Sequence, residues 1–171
     1  YKDCSTDITI NGHGCSGGFI GSDFSGNYEN CTAKGNLSGE WSVGGFAGIL
    51  FWESEAKHCI ADVKVTANNW NAGGFVGYIE DNVTIHNCIS YGDVHSKVSK
   101  WEPKVGGFTG ISNLNCSIDN SYVAGKVTAE STDYKAGGFV GYDNGGTVTS
   151  CSYDAKKNPE LKGVGETKTA G

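Results

Sequence analysis

Cysteine, histidine and carboxylate side chains are the groups in this sequence that could do chemistry, and their spacing limits what chemistry is open to them. The chain of 171 residues has seven Cys and four His. His13, His58 and His86 stand close to Cys15, Cys59 and Cys88, and His95 stands apart. No CxxC or HxxxH spacing gathers such ligands locally, so a metal centre is not expected. HExxH, P-loop and GxSxG motifs are absent, and no nucleophile-and-base set can be read, so neither catalysis nor a cofactor is expected. Glu53 with Glu55 and Glu80 with Asp81 do not recur in a way that builds a glycosidase pair, and read as solvated loop charge.

The cysteines follow a larger period. GGFxG occurs five times, with Phe19, Phe46, Phe75, Phe108 and Phe139 at intervals of 27, 29, 33 and 31 residues. Cys31, Cys59, Cys88 and Cys151 follow the preceding Phe by 12 or 13 residues, Ser121 takes the place in the fourth copy, and Cys4 extends the column backwards. Six residues after each column position stand Ile10, Leu37, Val65, Val94 and Val127. Even offsets are small or apolar, whereas five residues on stand Thr9, Asn36, Lys64, Asp93 and Lys126. This period-2 alternation is that of a half-buried strand, and parity turns the Cys column inward. Paired Gly before each inward Phe suits a tight corner or close backbone approach, and no segment has helical periodicity.

One repeat cannot bury its own apolar face, but stacked copies can. The expected fold is therefore all-β, a parallel β-solenoid of about five coils of 27–33 residues with inward Phe, Cys and aliphatic columns. Propeller blades need about 40 residues, more than these repeats supply. Residues 1–155 are expected to form the solenoid and 156–171 a C-terminal cap or tail, because Lys157 breaks the aliphatic column and Pro159 follows it. The N-terminal end shows no such block. Further repeats upstream, or a neighbouring subunit stacked there, would cover it. The lack of Met agrees with a processed chain or an excised piece.

The pattern resembles the GLUG-motif repeat, usually written around GGLVG, with Phe here for Leu. IDNSYVAGKVTA at residues 118–129, and IHNCISYGDV at 85–94 after a GGFVG, are similar to the fuller repeat; the end from Cys151 is similar to the segment that closes such arrays. The resemblance covers nearly the whole chain. It implies an extracellular or cell-surface protein, often adhesin-like, in which this region is a structural or binding array, and it carries over no catalytic residue. The Cys column departs from the usual repeat, where Ser is commoner.

Seven Cys cannot all pair within the chain. Parallel Cβ vectors on adjacent rungs suit a ladder of free thiols. The other reading pairs some of them, with Cys15 and Cys116, off the column, as the expected partners. Asn30, Asn36, Asn82 and Asn115 begin N-x-S/T sequons, and Asn36 is expected to be the best exposed.

Insertions gather before each GGFxG. From the inward aliphatic residue to the Phe the chain runs 9, 9, 10, 14 and 12 residues. Trp41, Trp70 and Tyr134 stand five residues before their Phe, and Trp101 seven before. Such an aromatic spine is either a strip for stacking sugar rings or docking a surface protein, or a lid folded back on the core. Trp52 fits no column and reads as local packing. A net charge of -6 with no Arg excludes the basic footprint of a nucleic-acid binder, and no apolar run is long enough for direct membrane insertion. A non-enzymatic surface module leads. A subunit that stacks end to end through its N-terminal edge into a filament or coat is the alternative, and an accessory repeat region of a surface peptidase follows. Ice binding would need a regular Thr face, which the mixed outward residues do not supply.

Overall fold

A computed structural model describes residues 1–97, 102–131 and 135–168. Each coil of the chain turns four corners, and its strands enter four parallel sheets, here called the first to fourth faces. The second coil is representative: Thr32–Gly39 on the first face, Val43–Gly44 on the second, Ala47–Phe51 on the third and Glu55–Lys57 on the fourth. Among the described residues there are strands and no helix. Five coils are complete, and Ser152–Tyr153 and Val164–Thr167 start a sixth. The protein is thus a parallel β-solenoid of about five turns.

Register follows the repeat. Ser5 pairs with Thr32, Thr32 with Ile60, Ile60 with Ile89, Ile89 with Tyr122 and Tyr122 with Ser152. Each of these residues follows a column position, so Cys4, Cys31, Cys59, Cys88, Ser121 and Cys151 lie one above another. Cys31, Cys59 and Cys88 are buried, while Cys4 and Cys151 at the ends are only half-buried. The five Phe rings form a continuous stack with centroids 5.0, 4.9, 4.8 and 4.8 Å apart. Leu37, Val65, Val94 and Val127 are buried as expected, but Ile10 on the end coil is 36% exposed because no rung covers it.

The glycines permit close approach of backbones. A Cβ on Gly44 would lie 2.6 Å from the Gly77 amide nitrogen of the next coil, and one on Gly45 would lie 2.1 Å from the Gly74 carbonyl oxygen. No side chain fits between rungs at those points.

Some sequence-based expectations need correction. All seven thiols are free, and Cys15 lies in the first-to-second-face connection of the first coil, whereas Cys116 lies at the third-to-fourth-face corner of the fourth. They sit at different corners of different coils, which forbids the pairing. The tail from residue 156 is more than a cap, since Val164–Thr167 pairs in parallel with Val140–Asn144 and adds a sixth rung to the third face. The N-terminal end is partly covered: the Tyr1 ring stacks on Tyr28 with centroids 5.3 Å apart and meets Phe19 edge-on.

Candidate functional site

Strands of the first face end at Gly39 and Ala67, and short loops lead from them to the second face. Ser42 and Asn71, where the loops reach the second face, are buried. Asn71 accepts a bond from the Val43 amide through its carbonyl (3.0 Å), and the Asn68 amide donates to the Gly39 carbonyl (2.8 Å). Asn68 Nδ2 also donates to Ser38 Oγ at 2.9 Å. With the loop bases held, Trp41 and Trp70 point to solvent, 57% and 46% exposed. Their rings lie 6.3 Å apart and 23° from parallel. At these two positions the aromatic spine is not folded back as a lid. Trp101 and Tyr134, the other expected members, lie outside the described residues.

Beside Trp70 is a cleft of about 300 Å³ lined by Asn69, Trp70, Glu102, Pro103 and Lys104. Lys104 is held there by Glu102 at 3.3 Å and by Glu166 at 3.6 Å. An indole face, a proline ring, an amide and a tethered ion pair together offer apolar area and fixed polar groups, the combination that orients a small polar ligand on an aromatic platform. A broader hollow of about 450 Å³ crosses the outward side of the first face, lined by Thr9, Asn11, Asn36, Ser38, Lys64 and Thr66, with Ile10 and Leu37. Asn36 therefore stands within a polar surface. Asn30, Asn36, Asn82 and Asn115 are all exposed, and Asn30 also donates to Asp3 Oδ1 at 3.0 Å.

The histidines serve the ladders between coils. His13 Nδ1 lies 3.1 Å from Glu40, His86 Nδ1 meets Asp119, and His95 Nδ1 lies 2.9 Å from Thr128 Oγ1. Each partner belongs to the next coil. Their neighbouring cysteines turn inward and away from them at Cys59 and Cys88, so adjacency in sequence does not make a shared site.

Sequence reasoning missed a second exposed aromatic group. Phe24, Phe51, Trp52 and Tyr78 cluster where the third face turns to the fourth. Trp52 is 55% exposed, which corrects its reading as local packing. The missed signal was columnar: Phe24 and Phe51 each follow their repeat Phe by five residues. Burial and the Glu80 carboxylate that accepts the Tyr78 hydroxyl (2.8 Å) push the Tyr78 phenol up to about 12.

No family model matches the chain. It is similar to the immunoglobulin A1 protease of Streptococcus pneumoniae, 29% identical over 113 residues. That match takes in 63% of this chain and spans 6% of the much longer protease.

Proposed function

We propose that this chain is a non-enzymatic β-solenoid module of an extracellular or cell-surface protein, stalk or adhesin-like, built from GLUG-type repeats, which presents its Trp41–Trp70 edge to a glycan or a surface protein. The observation that carries the proposal is the pair of exposed, near-parallel indoles on consecutive coils at the edge where insertions gather. Solvent-facing Trp costs apolar exposure that a purely structural loop has no reason to keep, and stacked aromatics are a common platform for sugar rings and protein hot spots. Resemblance to a small part of a long bacterial protease favours a module that serves a larger protein, either as its stalk or as the accessory repeat region of a surface peptidase.

End-to-end assembly into a filament has less support. The buried side chain of Asn158 occupies the first-face edge of the last complete coil, accepting from the Val127 amide at 2.8 Å and donating to the Gly125 carbonyl at 3.0 Å. A stacking neighbour would need those groups.

The test is capture of glycans on an array, and of intact cells or surface extracts on immobilised protein. Trp41→Ala with Trp70→Ala should abolish capture while the far-ultraviolet circular dichroism stays that of a β-sheet. Undiminished capture by the double variant would sink the proposal.

A further inference from the structure

The outward side of the third face differs in character from the Trp41–Trp70 edge. Phe24 and Phe51 are register partners with rings 5.2 Å apart and 12° from parallel. Trp52 tilts onto Phe24 at 5.1 Å, and Tyr78 flanks Phe51 at 6.0 Å. Phe24 is 56% exposed, so two of the four rings stand largely in water. The backbone is bent to present them: Trp52 has φ 46° and Glu53 φ 63°, consecutive left-handed residues of types that seldom adopt that region. At the same corner the first coil uses Ser25 and the third uses Asp81, residue types better suited to it. Ser25 Oγ donates to the Trp52 carbonyl at 2.6 Å, and the Glu53 amide donates to that of Asp81 at 2.9 Å, so the strained corner is held between its neighbours.

In the three segments that carry the rings, charge has one sign. Residues 20–26, 47–54 and 76–83 contain Asp23, Glu53, Glu80 and Asp81 and no Lys, Arg or His. Asp23 pairs in register with the buried Leu50 and faces inward, which leaves Glu53, Glu80 and Asp81 as the rim. The outward column of Tyr78, two residues from that of Phe24 and Phe51, shows what such a ring accepts. Tyr78 is in register with Ile111, and Ile111 with Tyr142. The Lys104 ammonium lies over the Tyr142 ring, 5.1 Å from its centroid. At Tyr142 the cation is supplied by the chain itself. Around Phe24 and Trp52 the rings and the carboxylates are in place without a basic residue in these three segments.

We propose that this corner is a docking site for a basic polypeptide segment of a partner protein, with a Lys or Arg side chain over the Phe24 and Trp52 rings and neighbouring basic side chains paired with Glu53, Glu80 and Asp81. Exposed aromatic area supplies the contact, and cation–π attraction with a carboxylate rim supplies the selection for positive charge. Acids spread over two coils call for several cations on one chain, which a basic peptide segment carries and a single small amine does not.

The experiment is fluorescence anisotropy with labelled Lys-Ser-Gly repeat peptides, their Arg counterparts and their Glu counterparts. The Lys and Arg peptides should bind saturably, more weakly as salt rises, and the Glu peptide should not bind. Trp52→Ala should weaken binding about tenfold or more, and Glu53→Gln with Asp81→Asn should do the same without touching the rings. Trp41→Ala with Trp70→Ala should leave peptide binding unchanged, which separates this site from the edge proposed above. Circular dichroism reports folding, and the Glu53, Asp81 pair decides the matter if Trp52→Ala unfolds. Peptide binding that is absent, that is equal for the Glu peptide, or that survives intact in the folded ring and rim variants would overturn the proposal.

Discussion

Asn30 and Cys31 divide one corner between them. The residue before each column position is left-handed in all six cases: Asp3, Asn30, His58, Asn87, Asn120 and Ser150 have φ between 48° and 54°. Asn and Asp tolerate that conformation better than other non-glycine residues, which explains why four of the six are Asn or Asp and why the polar side chain turns out as the thiol turns in. The thiol then behaves as a small apolar group. Burial pushes the Cys31, Cys88 and Cys116 thiols up, so little thiolate forms near neutral pH. In native protein an aromatic disulfide reagent should react readily with half-buried Cys4, Cys15 and Cys151 at most, and with Cys31, Cys59, Cys88 and Cys116 only after unfolding. Absorbance of the released thiolate counts the two classes. Seven fast thiols in the native protein would contradict this burial.

At the scale of the rung, stability is a matter of nearest neighbours. Phe46, Phe75 and Phe108 each stack on the ring below and the ring above, and each GGFxG corner admits its neighbour only because the Cβ is missing. Phe75, fully buried in mid-stack, should cost about 3–5 kcal/mol when replaced by Ala. Phe19→Ala should cost clearly less, because Phe19 is only partly buried at the end of the stack. Urea unfolding of the two variants measures the difference, and equal losses would show that the stack is not the unit of stability. The aromatic pair Trp41 and Trp70 was legible in the sequence because both precede a repeat Phe by the same number of residues. Trp52 was not, because it belongs to no column; its exposure comes from a left-handed turn whose partners lie one coil away in either direction.

For the whole molecule, the ends matter most. Parallel rungs leave an unpaired edge wherever stacking stops. At the C-terminal end Asn158, buried despite its amide, imitates a next rung by bonding Val127 and Gly125, and Lys157 Nζ donates to the Ala124 carbonyl at 2.6 Å. Asn158→Ala leaves a buried amide and a carbonyl without their partner and should cost about 1–3 kcal/mol, read as a lowered Tm. An unchanged Tm would show that the cap contributes nothing. The two proposed surfaces lie at different corners of the four-sided coil, the indole pair between the first and second faces and the Phe24–Trp52 cluster between the third and fourth. A module with both could hold two partners at once.

Period, parity and the five-fold repeat of GGFxG were enough to determine the parallel solenoid, its inward Phe and Cys columns and the edge where insertions gather; that Trp41 and Trp70 stand exposed on that edge was decided by the structure. Each of those features is local in the chain and restated in every coil, so ladder pairing can only amplify it. Tertiary structure alone decided the free and separate positions of Cys15 and Cys116, the return of Val164–Thr167 as a sixth rung, and the gathering of Phe24, Phe51, Trp52 and Tyr78 beneath an acidic rim. Those contacts join residues one or more coils apart without a repeated pattern behind them. Alternation tells a side chain which way to face, but only stacked coils determine what stands beside it.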